Sequence, residues 1–425
     1  MGGPPFLLTM PAYGGTLAAA RCLGEHGVPV TMAGDTLLAP ARWSRYVTRW
    51  ERCPPVLDAA RFFDWLMAFG EREPGHVLYP TCDDLAWLFA DRKGELAKHY
   101  RLYEPSADAV VALLDKKQLY DLANKLGIDT LPTAFPTNDA ETHRYAREIG
   151  YPFLLKPRTQ VFLPTRCKGF FVGSEAELRP ELARYALENA FYKPLVERVP
   201  GIDYPMIQTF SSDAAENIYS ISGFIGPGEN DVVARAAVKV LQRPRRLGVG
   251  LCFEEAPVDE QVLDGLVRMC RDIGYFGVFE SEFVRIGARA HLIDFNPRFY
   301  GQMGFETARS LPLAYLVWLG ALGRMSALDD ELSQARRFEP GKGYVYCNRF
   351  FFNVLLSLQR LGGRMTEAEV VHWRAWLRAS RERSLAFDSV DAPDDHLPAF
   401  MSAVREMYVA ARHPRSFLRQ MVIGP

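Results

Sequence analysis

The segment Gly277–Arg298 has the sequence GVFESEFVRIGARAHLIDFNPR, and its pattern decides the fold of the second half of the chain. Side chains alternate between the two faces of a β-strand, so Glu280 and Glu282 share one face and the phenylalanines beside them share the other. A glycine in the middle favours a turn. The return strand then places Asp294 and Asn296 on one face. The segment therefore predicts an acidic β-hairpin.

The register of this hairpin predicts a cation site. With the turn centred on Ala288, Glu282 faces Asp294 and Glu280 faces Asn296. Directly opposed like charges destabilise a sheet, so such carboxylates favour a bound cation. Oxygen ligands of this kind suit a hard ion such as Mg²⁺. The alternatives are a solvated polar face and a one-residue slip that separates the acids.

Basic residues in other segments are placed to meet a phosphate. A helix is predicted over Asp115–Leu126, where Asp115 caps the first turn and leaves Lys116 free to reach outward. Lys156 ends an apolar strand before a proline. The stretch Arg158–Lys168 is either a mobile flap over a triphosphate or a simple loop. Arg298 either meets an anion beside the metal or pairs with one of the same carboxylates.

The N-terminal part, residues 1–112, predicts a small α/β domain. Apolar strands at Phe6–Met10 and Val28–Ala33 alternate with helices, which is typical of a doubly wound parallel sheet. Gly14 and Gly15 stand at a helix start without a complete dinucleotide-binding glycine motif. They form a tight turn or hold an anion on free backbone N–H groups.

Two further regions follow this domain. Residues 113–325 predict an α+β domain, in which Leu195–Asp203 runs from a strand into a turn. Residues 326–425 predict a mainly helical C-terminal region, with a capping box at Thr366–Glu369. Its stripe of Val370, Trp373 and Leu377 is typical of a core-facing helix.

Composition excludes several classes of protein. The chain has 425 residues, with 50 Lys and Arg against 51 Asp and Glu and a hydrophobic fraction of 48%. This balance excludes a disordered chain and lacks the basic field of a nucleic-acid-binding protein. The apolar run Leu311–Leu322 is too short for a membrane span, and we expect no signal peptide. Seven scattered cysteines without a CxxC pair favour reduced thiols and a cytoplasmic location.

Taken in order, five segments resemble the ATP-grasp family of ATP-dependent ligases, in particular its stand-alone carboxylate–amine ligases. These segments are LLDKKQLYDLANKLGIDTLPT, YPFLLKP, LVERVPGID, GVFESEF and LIDFNPRFYGQ. The resemblance covers about residues 115–300. It implies an α/β domain of the pre-ATP-grasp kind, followed by an α+β ATP-grasp fold and the helical extension.

The resemblance also implies roles for individual residues. The nucleotide contacts are Lys116 and Lys156, with Glu197 and Val199 at the adenine and Asp203 at the ribose. The magnesium ligands are Glu282, Asp294 and Asn296, with Arg298 and the flap residue Lys168 at the transferred phosphate. Lys239 lies where the family often has a basic residue, and both phosphate contact and surface solvation are open for it.

The implied activity is the phosphorylation of a carboxylate by ATP, followed by attack of an amine on the acyl phosphate with release of ADP and phosphate. The expected partners are a small carboxylate, for which an amino acid is a candidate, and a small amine. Mg²⁺ is the expected cofactor, and Glu280 is the candidate base. A small-molecule kinase and a non-catalytic nucleotide-binding protein are the alternatives, and a homodimer is left open.

Overall fold

The N-terminal part of the chain forms a parallel sheet covered by helices. The computed structural model describes residues 3–164, 169–210, 218–243, 249–418 and 421. The sheet has five strands in the order β3-β2-β1-β4-β5, all parallel. Its elements are β1 (Phe6–Leu8), α1 (Gly14–Glu25), β2 (Val30–Gly34), a 3-10 helix (Pro40–Trp43), β3 (Val47–Arg52), α2 (Ala59–Arg72), β4 (Val77–Leu78), α3 (Asp83–Asp91), α4 (Lys93–Leu96) and β5 (Arg101–Leu102). The predicted doubly wound α/β start is confirmed.

A small antiparallel sheet follows, with strand order β6-β9-β7-β8. Its hydrophobic core is built around Phe153, Leu155 and Ile207, and α8 packs against its last strand. The elements of this part are α5 (Ala107–Leu114), α6 (Lys116–Lys125), β6 (Thr133–Ala134), α7 (Asp139–Ile149), β7 (Phe153–Lys156), β8 (Phe170–Val172), α8 (Glu175–Glu188), α9 (Lys193–Arg198) and β9 (Met206–Thr209).

A seven-stranded sheet carries the acidic hairpin at one edge, in the order β14-β13-β10-β11-β12-β15-β16. Its neighbours are antiparallel except for the last pair. The elements are β10 (Ile218–Ile225), β11 (Val232–Arg243), β12 (Val249–Ala256), α10 (Glu260–Asp272), β13 (Gly277–Ile286), β14 (Arg289–Asn296), α11 (Met303–Ala308), α12 (Leu313–Ala321), α13 (Met325–Arg336), β15 (Val345–Cys347), α14 (Arg349–Leu361), α15 (Glu367–Glu382), β16 (Ala386–Asp388), α16 (Leu397–Arg412) and α17 (Pro414–Leu418).

The C-terminal region is mainly helical, as predicted, but it also adds β15 and β16 to the large sheet. The predicted capping box is present, since the Thr366 and Glu369 side chains each bond to the other's backbone N–H. Val370 and Leu377 are buried in a core with Phe352 and Leu356, so the predicted stripe is a packing surface. The domain boundaries at residues 112 and 325 stay predictions.

One core joins the N-terminal sheet to the helices that follow the hairpin. Phe6, Leu17 and Met32 share a cluster with Phe299 and Trp318. Because this cluster is buried, the end of the hairpin is fixed against the N-terminal sheet. The two parts therefore meet at the place where the predicted site residues lie.

Candidate active site

The acidic hairpin has the predicted register at the acids. Glu282 pairs with Asp294 and Glu280 pairs with Asn296 across β13 and β14. The pairing shifts by one residue beyond Glu282, so the turn is tighter than predicted and is centred before Ala288. This irregularity lies on the turn side of the acids. The acids therefore face each other, and a slip that would separate them is excluded.

Each of the two opposed acids accepts a bond from a lysine of another element. Lys116 Nζ lies 2.6 Å from Asp294 Oδ1, and Lys239 Nζ lies 2.6 Å from Glu282 Oε1. Lys239 is 7% exposed, which rules out surface solvation as its role. Asp115 caps the helix by accepting a bond from Lys117 N, and this places Lys116 at the first position of α6.

These pairs set the protonation states of the site. Desolvation by the surrounding protein acts to raise the pKa of Asp294, but the positive charges of Lys116, Lys156 and Arg298 outweigh it and hold that pKa below its ordinary value. Burial acts to lower the pKa of Lys239, and the Glu282 carboxylate more than offsets this, so the Lys239 pKa is raised. The Lys116 pKa is raised in the same way by Asp294. The site therefore holds charged acids beside charged lysines.

Glu280 lies deeper than the other acids. Burial, together with the nearby Glu282 charge, raises the pKa of Glu280 to about 7. One carboxylate oxygen accepts a bond from Gln302 Nε2 at 2.6 Å, and the other accepts from the Asn296 amide. Both oxygens thus hold amide groups in place. The prediction of Glu280 as the base stays a prediction.

Arg298 pairs with an acid that sequence reasoning did not assign to the site. Its Nε lies 2.5 Å from Asp83 Oδ1, and its other bonds run to Asn296 Oδ1 at 2.7 Å and to the Phe299 carbonyl at 3.0 Å. Asp83 begins α3, the next element of the N-terminal part after strand β4. The proximity of Asp83 to Arg298 depends on how the two parts of the chain pack, and no local pattern in the sequence signals it.

Lys156 ends β7 and meets a polar residue of the neighbouring strand. Its Nζ lies 3.1 Å from Gln208 Oε1 on β9, and Gln208 Nε2 donates to Tyr120 Oη at 3.0 Å. Gln208 is 2% exposed. A buried polar residue in the apolar stretch Met206–Thr209 is the signal that could have identified it. Lys156 therefore lies next to strand β9, which supplies its hydrogen-bond partner Gln208.

The strand predicted at Leu195–Asp203 is wrong. Residues Lys193–Arg198 form α9, which begins with a proline in its first turn. Glu197 is exposed there, whereas Val199 packs against the core of the N-terminal sheet. A proline pre-set for a first helical turn and apolar residues that pack on a helix face explain the helix. The nucleotide roles of Glu197, Val199 and Asp203 stay predictions.

The first half of the predicted flap is anchored rather than mobile. Arg158 forms a buried ion pair with Asp115, with NH2 2.6 Å from Oδ2. Val161, Phe162 and Leu163 are buried. Packing of this kind holds the segment in place. Of the rest of the predicted flap, the structure describes residue 164. Residues 165–168, which include Lys168, lie outside the described residues.

A cleft opens where α1, α3 and the end of the hairpin meet. It is lined by Tyr13, Gly15, Thr81, Cys82, Asp83, Arg298, Tyr300 and Gly301. A Cβ at Gly15 would lie 2.3 Å from the Tyr300 carbonyl oxygen, so only glycine permits this close approach. The glycines at the start of α1 are thus explained by packing. The cleft places Arg298 next to an open space.

The donor set of the hairpin fits Mg²⁺. In the described ranges, no group of three or more His, Cys, Asp and Glu side chains is arranged as a metal site. The oxygen donors are the two carboxylates Glu282 and Asp294 and the amide Asn296. Mg²⁺ prefers such oxygens and keeps waters or phosphate oxygens for its remaining positions. The Asp294 side chain is 42% exposed and thus open to a ligand.

Other findings bear on the expected location. The cysteines that the structure describes, Cys22, Cys53, Cys82, Cys252, Cys270 and Cys347, are free and buried. None of the helices in the described part of the chain combines the length and apolar character that a bilayer crossing requires.

Comparison with known proteins gives relatives at low identity. No protein-family model matches the chain. The sequence is 25% identical over 288 residues to a formate-dependent phosphoribosylglycinamide formyltransferase of Ignicoccus hospitalis. This match covers 63% of the present chain. The match spans 66% of that relative, just under two thirds of its length.

Solved structures share the fold. One is the biotin carboxylase domain dimer of the Hydrogenobacter thermophilus 2-oxoglutarate carboxylase, in complex with MgADP and bicarbonate. It has a TM-score of 0.56 and 18% identity over 79% of this chain and 70% of that one. Another is an L-amino acid ligase from Bacillus licheniformis, with a TM-score of 0.58 and 12% identity over 81% of this chain and 79% of that one. The predicted fold class is confirmed by these likenesses.

Proposed function

The chain has the ATP-grasp fold, and on that premise we propose that it is an ATP-dependent carboxylate–amine ligase. It phosphorylates a small carboxylate with ATP and joins the resulting acyl group to an amine, with release of ADP and phosphate. The relatives include a formyltransferase and an amino acid ligase by name, which favours this class of reaction.

The observation that carries the proposal is the pairing of Glu282 with Asp294 in register. Each is bonded to a lysine whose side chain is only 8% or 11% exposed. Two opposed carboxylates and two lysines can hold a cation together with the phosphates that it binds. A merely structural sheet edge has no use for this set of charges, since buried ion pairs contribute little net stability. The arrangement is therefore best explained by a ligand.

We assign the residues as follows. Glu282, Asp294 and Asn296 would hold Mg²⁺, which when bound offsets charge on the phosphates. Lys116, Lys156 and Lys239 would contact the nucleotide phosphates. The phosphate contact predicted for Lys168, which lies outside the described residues, stays a prediction. For the adenine and ribose, the predicted contacts are Glu197, Val199 and Asp203, and β9 beside Lys156 offers an alternative edge.

The residues of this site act mainly by position and charge. Lys116 and Lys239 exchange a carboxylate partner for a phosphate oxygen when nucleotide binds, which costs little because an anion replaces an anion. Arg298 offers N–H groups to the oxygens of the phosphoryl group during its transfer, where negative charge is spread over those oxygens. The carboxylate substrate would then lie in the cleft beside Arg298.

We extend the proposal to the setting of the enzyme. The neighbouring biotin carboxylase domain is a dimer by its description, and we propose that this chain also forms a homodimer. The six described cysteines are free and buried, which is consistent with the proposed cytoplasmic location. The other expected partners are the small-molecule carboxylate and amine.

The test is a pairwise screen of amino acids and other carboxylates against amines. The proposal predicts that ADP and phosphate appear only when both partners and Mg²⁺ are present. Release of AMP, or a stable phosphorylated product without an amide, would contradict it and favour a kinase. ATP binding without any substrate-dependent hydrolysis would favour a nucleotide-binding protein without catalysis.

A further inference from the structure

The ion pair between Asp83 and Arg298 connects the N-terminal sheet to the reaction site. Arg298 Nε donates to Asp83 Oδ1 at 2.5 Å, and the two side chains are equally exposed at 17%. Asp83 is the first residue of α3, whereas Arg298 directly follows the hairpin. The pair therefore connects the N-terminal part of the chain to Arg298, which is proposed to contact the transferred phosphoryl group.

The pair fixes the orientation of the guanidinium. Asp83, Asn296 Oδ1 and the Phe299 carbonyl accept bonds from three different nitrogens of Arg298. Each terminal nitrogen carries two N–H groups and uses one of them in these bonds. One N–H therefore remains on each terminal nitrogen, and two such groups match the oxygens of a phosphoryl group.

The negative charge of Asp83 indicates that it orients Arg298 and does not strengthen anion binding. A carboxylate beside Arg298 reduces the attraction of the site for an anion, so Asp83 does not serve to strengthen binding of the nucleotide. Its contribution is to hold the donors of Arg298 in one orientation before the reaction. Donors that are already oriented stabilise the charge of a transition state without a reorganisation cost.

The segment next to Asp83 adds to this rigidity. Asp84 is fully buried, and its Oδ1 accepts a bond from Phe162 N at 2.6 Å. Phe162 also packs against Trp87, which lies in α3 with Asp84. The start of α3 is thereby held on one side by the anchored half of the flap and on the other side by Arg298.

We propose that Asp83 is a positioning residue that orients Arg298 for phosphoryl transfer. This inference rests on the proposed ligase function. It assigns to the N-terminal part of the chain a contribution to the chemistry, in addition to lining the cleft. Asp83 also lines the cleft, and its proposed contribution to the reaction acts through Arg298.

A double-mutant cycle on the full-length chain tests the proposal. Asp83→Asn is expected to lower kcat about tenfold while the KM for MgATP changes less than twofold. In an Arg298→Lys background, the same substitution is expected to have almost no further effect, because Asp83 acts through the guanidinium. Asp83→Glu, which keeps the charge, is expected to restore part of kcat.

The controls separate this role from a structural one. Asp91→Asn changes the other end of α3, where the acid lies 3.8 Å from Arg198, and is expected to leave kcat unchanged. If Asp83→Asn does not fold, Asp83→Ser retains a residue suited to a helix start and replaces it in the cycle.

The outcomes distinguish the two proposals. An unchanged kcat in Asp83→Asn, or an equal loss in the wild-type and Arg298→Lys backgrounds, overturns the positioning role alone. If none of the substrate pairs in the screen supports ADP release by the wild-type chain, the ligase function is contradicted. The role proposed for Asp83 is then contradicted as well.

Discussion

At the scale of single residues, the candidate site contains two ion pairs whose lysines we propose exchange partners when nucleotide binds. Lys116 with Asp294 and Lys239 with Glu282 keep four charges together beside the cleft. An isolated charge left in such a place is costly, so each group needs its partner until a ligand replaces it. This requirement gives the residues different expected effects on activity and on folding.

Asp294→Ala is expected to abolish turnover, because it removes a proposed magnesium ligand and the partner of Lys116. The change is measured as ADP release at saturating Mg²⁺, with circular dichroism to show that the variant is folded. Asp272→Ala is the matched control, since Asp272 also pairs with a lysine and has a side chain 43% exposed. Near-normal activity of Asp294→Ala would remove the metal assignment.

Lys156→Ala is expected to raise the KM for MgATP at least tenfold, because a proposed phosphate contact is lost while Gln208 keeps its bonds to Tyr120 and Thr133. Steady-state kinetics at varied ATP concentration measures the change. Lys125→Ala, which removes a lysine of the outer surface, is expected to leave this KM unchanged. An unaltered ATP dependence of Lys156→Ala would exclude the phosphate contact.

The pH dependence of stability provides a prediction for His76, a buried residue before β4. Burial lowers the pKa of His76, whose ring nitrogens bond to Thr31 Oγ1 and to the Glu73 carbonyl. The unfolded chain then binds a proton more readily than the folded one, so this contribution to stability is complete above about pH 6.5 and decreases as the pH falls below it. Urea unfolding between pH 7.5 and 5.5 measures it.

His76→Gln keeps hydrogen-bonding groups but does not titrate in this range. We expect its free energy of unfolding to fall less than that of the wild type over the same pH interval, by up to about 1 kcal/mol. Equal losses in the two proteins would show that His76 makes no contribution.

At the scale of elements, local patterns were predictable and packing was not. The sequence correctly predicted that Glu280 and Glu282 lie on the same face of β13, because side chains alternate along a strand. The helix α9 was predicted as a strand because its short apolar stretch fits both structures, and the choice depends on the N-terminal core against which it packs. The pairing of Asp83 with Arg298 depends on two distant elements and has no local signal.

The anchored half of the flap gives a prediction at this scale. Phe162 is 5% exposed and contacts Trp87 and Tyr192. Phe162→Ala is expected to lower the free energy of unfolding by about 3 kcal/mol, because it leaves a cavity in this cluster. Chemical denaturation measures it, with Phe171→Ala as the control, since Phe171 is half exposed and is expected to lose less than about 1 kcal/mol. A small loss for Phe162→Ala would indicate a mobile segment.

At the scale of the whole molecule, the C-terminal region is fastened to the N-terminal sheet. Asp395 is buried and accepts bonds from Arg21 Nε at 2.9 Å, Ser44 Oγ at 2.7 Å and Arg45 N at 2.9 Å. These donors come from α1 and from the segment after the 3-10 helix. The C-terminal region therefore holds the element that lines one side of the cleft.

Asp395→Ala is expected to lower the free energy of unfolding by about 3 kcal/mol, because it leaves the Arg21 charge without its buried partner. The neighbouring Asp394→Ala is the control, since its pair with Arg45 is exposed and contributes less than about 1 kcal/mol. Urea denaturation of both variants measures the difference. Similar losses in the two would show that the Asp395 contact does not fasten the regions.

The most direct test of the whole account uses the substrate carboxylate labelled with ¹⁸O, once the screen has identified the pair. Formation of an acyl phosphate, followed by attack of the amine, transfers one carboxylate oxygen to the released phosphate. We predict one ¹⁸O atom in the phosphate for each amide bond formed, detected by mass spectrometry. Unlabelled phosphate accompanying the amide would contradict the proposed activation of the carboxylate at the acidic hairpin.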